Sequence, residues 1–96
     1  MRMMLRVKVP VEAGNRAVTD GSMEAAIGSV MEALKPEAAY FVPHDGQRTA
    51  MFFFDMTDAS DIPPIVEPLF QKLNASVEFA PAMNLDDLQT GLGKLG

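Results

Sequence analysis

Hydrophobic and polar residues alternate from the start of the chain. Met3, Leu5, Val7 and Val9 interleave with Met4, Arg6 and Lys8, the period-two pattern of a half-buried strand, and Pro10 ends it. From Val11 to Gly21 the turn signals Gly14-Asn15 and Asp20-Gly21 predict a loop. Met23, Ala26, Ile27, Val30, Met31 and Leu34 then recur at helical spacing. Ser22 is the expected N-cap of that helix, Glu24 suits its first turn, and Lys35 and Pro36 close it.

Two runs rich in aromatic and branched residues flank Asp45-Gly46, a pair suited to the positive-φ positions of a two-residue turn. With that loop the register follows. His44 faces Gln47, Val42 faces Thr49, Tyr40 faces Met51 and Ala38 faces Phe53 on one side, while Phe41 faces Ala50 and Ala39 faces Phe52 on the other. Thr57 to Asp61 reads as a polar turn, with Ser60 or Asp61 capping a second helix whose first turn holds Pro63 and Pro64. Ile62, Ile65, Val66, Leu69, Phe70 and Leu73 form its apolar stripe; Pro68 removes one internal hydrogen bond, and Asn74 is placed to end it. Ser76 to Ala82 reads as a fourth strand. Asn84 then caps a tail helix, with Asp87 completing a capping box and Leu85, Leu88, Leu92 and Leu95 on one side. Gly91 and Gly93 weaken this helix, so it is expected to need a surface to lie on, across a dimer.

The order β-α-β-β-α-β plus a tail helix predicts a single α+β domain over residues 1–96. Its expected form is a ferredoxin-like plait with an antiparallel four-stranded sheet in the order 4-1-3-2 and both helices on one face. The helix-facing residues are then Leu5, Val7, Ala39, Phe41, Ala50, Phe52, Phe54, Val77 and Phe79. The other face carries Met4, Arg6, Lys8, Tyr40, Val42, His44, Thr49, Met51, Phe53, Asp55, Ser76 and Glu78. Its apolar centre would be a large exposed patch, so a homodimer through this open face is expected.

Composition narrows the chemistry. A chain of 96 residues buries only about two-thirds of its unfolded surface. It has no cysteine, which excludes disulfides and thiol catalysis, and one histidine, too few for a zinc centre. Eight basic residues against 13 acidic ones give a net charge of −5, which argues against duplex nucleic acid and anionic membranes as partners. The basic residues near the start interrupt any signal-peptide-like run, and the expected location is cytoplasmic. No glycine-rich nucleotide loop or metalloprotease motif occurs, and no cofactor is expected. Eight methionines and no tryptophan point to an adaptable core or pocket lining.

The element order, the length and the half-apolar open face resemble the dimeric α+β barrel superfamily, in which two plaits pack sheet against sheet. The stretch VEFAPAMNLDDL, Val77 to Leu88, resembles a family of small bacterial proteins within it. The resemblance covers essentially the whole chain and brings no catalytic motif. Members of the superfamily include muconolactone-type isomerases, cofactor-independent quinone-forming monooxygenases and haem-handling enzymes. Those monooxygenases often use a Trp with Asn and His, and this chain has no Trp.

The candidate chemistry is the polar ring on the open face. His44 is the general-base candidate, histidine being the side chain that exchanges a proton near neutrality. Arg6, Lys8, Tyr40, Thr49, Met51 and Glu78 are the candidate ligand contacts. Arg6 and Glu78 sit on adjacent strands and are expected to form a bidentate pair. Two functions follow. One is a non-catalytic dimeric module that binds a small apolar or anionic metabolite or plays a structural part. The other is a small isomerase- or monooxygenase-like enzyme, acting on an apolar ring-bearing acid or ketone by proton transfer inside the barrel.

Overall fold

The computed structural model describes the whole chain, Met1 to Gly96, as an α+β fold. Its elements are β1 (Arg2–Val9), α1 (Val11–Asp20), α2 (Ser22–Leu34), β2 (Ala38–His44), β3 (Gln47–Asp55), a 3-10 turn (Ala59–Asp61), α3 (Ile62–Leu73), β4 (Ser76–Pro81) and α4 (Leu85–Gly93). The strands make one antiparallel sheet ordered β2-β3-β1-β4, which counted from the β4 edge is 4-1-3-2. This arrangement is consistent with a ferredoxin-like plait. No helix is long and apolar enough to cross a membrane.

The hairpin has the expected register, from Ala38 opposite Phe53 to His44 opposite Gln47. Asp45 and Gly46 both have positive φ, 53° and 72°, which matches the turn to the right-handed twist of its strands. Pro43 is tolerated because β2 is an edge strand and need not donate outward.

The core lies between the sheet and the helices. Met3, Leu5, Val7 and Val9 of β1 and Phe52 and Phe54 of β3 are buried against Ala17, Val30, Leu34, Leu69 and Leu73. Leu5 and Phe52 are almost fully enclosed, at 0% and 2% exposure. Ala39, Ala50, Val77 and Phe79 pack partly buried around them. No buried side-chain polar atom lacks a partner.

The loop expected at Val11 to Gly21 is instead helix α1, Val11–Asp20. Ala13, Gly14 and Ala17 are its buried residues, three small side chains at helical spacing, so it lies close to the body of the protein. Gly14 lies inside this helix and not in a turn, with the Arg48 side chain against it: a Cβ would sit 2.6 Å from Nη1, the far end of a flexible side chain. The turn is real only at its end, where Gly21, at φ 83°, bends the chain between α1 and α2.

Two caps also move. Ser22 is the first residue of α2, not its N-cap, and its backbone N–H donates to Asp20 Oδ1 at 2.8 Å. Asp61 stands at the N-cap of α3, one of the two expected residues, but its side chain makes no capping bond there; the side-chain cap belongs to Asp58, at the start of the 3-10 turn that leads into the helix. The Asp58 carboxylate accepts from the backbone N–H and hydroxyl of Ser60, and Asp61 reaches back to the Asp58 N–H at 3.3 Å. Pro63 and Pro64 then occupy the first turn, Pro68 sits inside α3, and Asn74, at φ 53°, ends it.

The tail helix α4 forms with the expected capping box: Asn84 Oδ1 accepts from the Asp87 N–H at 2.8 Å, and Asp87 Oδ2 from the Asn84 N–H at 3.0 Å. No residue of α4 is buried. The chain measures 54 × 28 × 18 Å, and its radius of gyration of 15.1 Å exceeds the roughly 12–13 Å of a compact chain this long.

Candidate functional site

The face of the sheet away from the core is built in rows that cross the strands. One row joins Glu78, Arg6, Met51 and Tyr40; the next joins Ser76, Lys8, Thr49 and Val42. On the other side of the first row lie Ala80, Met4, Phe53 and Ala38. The middle is therefore apolar, with Met4, Met51 and Phe53 half-buried, while Tyr40 remains 59% exposed.

Each cation on this face meets a carboxylate. Arg2 Nε donates to Glu37 Oε1 at 2.7 Å and Nη1 to Asp87 Oδ2 at 2.9 Å. The hydrogen bond and charge of Glu37, followed by those of Asp87, raise the Arg2 pKa above its ordinary value. Arg6 Nη1 stands 3.7 Å from Glu78 Oε2. This is an ion pair through one contact, longer than a hydrogen bond, and not the bidentate pair expected. Glu78 reaches outward and stays largely exposed, which keeps its carboxylate solvated. Lys8 Nζ donates to Asp45 Oδ2 at 2.9 Å.

His44 stands at the hairpin tip, two rows beyond Arg6. Its Nε2 lies 3.4 Å from the same Asp45 oxygen, a contact that becomes an ion pair when the ring is protonated. The Lys8 hydrogen bond and then the charge of His44 hold the Asp45 carboxyl below the usual range. Thr49 is buried, and its hydroxyl donates to the Gln47 carbonyl at 3.1 Å. Asp55 accepts from the Met1 α-ammonium at 2.7 Å, which lowers its pKa.

The structure thus brings Arg6, Glu78, Met51 and Tyr40 into one row and gathers Lys8, Asp45 and His44 at the tip. It does not bring His44 to Arg6. No three His, Cys, Asp or Glu side chains converge closely enough to hold a metal ion.

A second feature lies on the opposite side of the sheet. Phe41 was expected under the helices, yet it is 54% exposed, held edge-on against Phe52 with ring centroids 6.0 Å apart. The helix layer ends before β2, leaving a cleft of about 600 Å³ bordered by α1, α2 and the hairpin. Arg48 and Asn15 stand at this cleft, and neither was among the sequence candidates. The readable signal was the spacing of Ala13, Gly14 and Ala17, which marks a helix and not a loop beside the hairpin.

No protein-family model matches the chain, and a comparison with curated proteins finds no relative.

Proposed function

We propose that the chain is a ferredoxin-like plait acting as a non-catalytic dimeric module, two copies packed sheet to sheet as in the α+β barrel superfamily. The observation that carries this reading is the row Glu78-Arg6-Met51-Tyr40 with its neighbour Met4-Phe53. It is an apolar strip one strand pair wide, bordered by charges that already neutralise each other. A proton-transfer enzyme for an acid substrate needs a free cation with a base close by. Here Arg6 and Lys8 each face a carboxylate, and the one histidine stands two rows from Arg6.

The tail supports the same assembly. Arg2, on the open face, holds the first turn of α4 through Asp87, so the helix leaves the fold on the side where a second copy would sit. Its leucines are exposed and have no seat on their own chain. The flat sheet face covers roughly 20 by 25 Å, or about 500 Å², against about 800 Å² per partner in a standard interface. A tail helix from each copy laid on the other supplies much of the difference.

Light scattering on Met51→Glu tests the assembly. Two chains per particle are expected for the natural sequence and one for the variant, since burial would then enclose a second carboxylate beside an Arg6 that already faces Glu78. A variant that remains a stable dimer would overturn the sheet-to-sheet arrangement.

A further inference from the structure

The cleft on the helix side has the composition of a binding site. Val7, Phe52 and Leu69 line it from the core, and Met23, Ile27 and Phe41 line it from the flanking elements. Its volume, about 600 Å³, falls in the range of small-molecule sites. In a chain with 13 acidic residues, no Asp or Glu lines it. The one charged side chain there is Arg48.

Arg48 is held in place. Its side chain lies against α1 at Gly14, where the absence of a Cβ leaves room for the guanidinium. Nη2 donates to Asn15 Oδ1 at 3.2 Å, a neutral acceptor that orients the group without neutralising it. Arg48 takes part in no ion pair, in contrast to Arg2, Arg6 and Lys8 on the open face.

We infer that this cleft binds an amphiphilic carboxylate, an aliphatic or arylalkyl acid whose apolar body lies between Phe41, Ile27 and Met23 and whose carboxylate pairs with Arg48. A guanidinium fork matches a carboxylate in two parallel hydrogen bonds, and the apolar lining offers a carbon chain shelter from water. A neutral apolar ligand would leave the arginine unused, and a cation would meet it head on. Apart from Val42 and Thr49 of the hairpin, which also belong to the open face, the cleft lies on the other side of the sheet from the proposed dimer interface, and the assignment depends on neither the dimer nor the tail.

The test is an NMR titration of the full chain with sodium octanoate, with 1-octanol as the uncharged counterpart. Saturable shifts are expected at Asn15, Met23, Ile27, Phe41 and Arg48, with Met51 and Phe53 unmoved. Arg48→Gln should weaken octanoate about tenfold and leave octanol binding unchanged, the loss of one charge-assisted pair. Unchanged octanol binding also shows that the variant is folded. Ile27→Trp, which fills the cleft, should weaken both ligands. Absence of saturable binding, equal loss of both ligands in Arg48→Gln, or shifts centred on Met51 would each overturn the assignment. So would octanoate binding seen only after truncation beyond Asn84, because the cleft would then be the seat of the tail helix.

Discussion

The two faces of this sheet come from the same four strands, alternating residue by residue, yet they are finished differently. On the helix side, Leu5, Val7, Phe52 and Phe54 are closed over almost completely. On the open side, Met4, Met51 and Phe53 are only half-covered by their neighbours, and the charges around them pair across the strands. Over β1 and β3 the helix-side face is a finished core, and the open face is an unfinished one. Strand alternation distributes apolar residues to both sides, but helices within the chain can cover only one of them. On the proposed reading, a second copy of the chain covers the other face.

The largest difference between the faces should appear in stability. Phe52→Ala removes a ring from a closed core and is expected to cost about 3–5 kcal/mol at any protein concentration. Met51→Ala, on the neighbouring residue, should cost little at low concentration, with a deficit that grows as concentration rises and association contributes. Denaturant unfolding at two concentrations separated a hundredfold measures both. A concentration-independent loss in Met51→Ala would erase the contrast.

A smaller effect is expected from Arg6 and Glu78. As the pair stands in one chain, a single 3.7 Å contact with an exposed carboxylate, its coupling should be at most about 1 kcal/mol. In a sheet-to-sheet dimer the same pair would be enclosed and the coupling larger. The cycle Arg6→Met, Glu78→Gln and the double variant, run at two protein concentrations separated a hundredfold, should give a larger coupling at the higher one. Equal couplings would mean that the open face is not enclosed.

The smallest effect lies at the hairpin tip. Asp45 has its pKa lowered in the folded chain by Lys8 and His44, so its contribution to stability is fully present above the unfolded aspartate value of about 3.9. That contribution is lost as pH falls through the lower folded value. Asp45→Asn keeps a residue that tolerates the positive φ and removes the charge. The acid limb of a stability curve followed from pH 6 to 2 should become slightly shallower. An unchanged limb would show that the Lys8 contact carries no weight in solution.

Much of the architecture was legible from periodicity. The hairpin register, the strand order and the alternation of faces follow from Asp45-Gly46 and from side chains that switch sides at every residue. Helix α1 was not, because Gly14, Asn15, Asp20 and Gly21 are turn formers one at a time, and the place of Gly14 beside Arg48 appears only in the folded chain. Reading that segment as a loop also concealed the cleft, since its border is made by α1. Phe41 shows the same limit: its parity places it on the helix side, but parity does not say how far the helix layer extends. The start of α2 lies one residue earlier than expected, and the side-chain bonds at Asp20 and Asp58 arise where several polar residues compete for the same N–H groups. The polar ring was readable as a set of residues and not as a set of pairs. Strand register brings Arg6 to Glu78, but the link between Lys8 and Asp45 depends on a long side chain reaching the turn.

The measurement closest to the central claim is an isotope-filtered NOE experiment on a mixture of chains labelled at the methionine methyls and chains unlabelled. The account predicts contacts between the methyls of Met4 and Met51 in one copy and the Phe53 and Tyr40 rings of the other, in a particle of about twice 10.4 kDa. A particle of one chain, or intermolecular contacts that avoid these four residues, would contradict it.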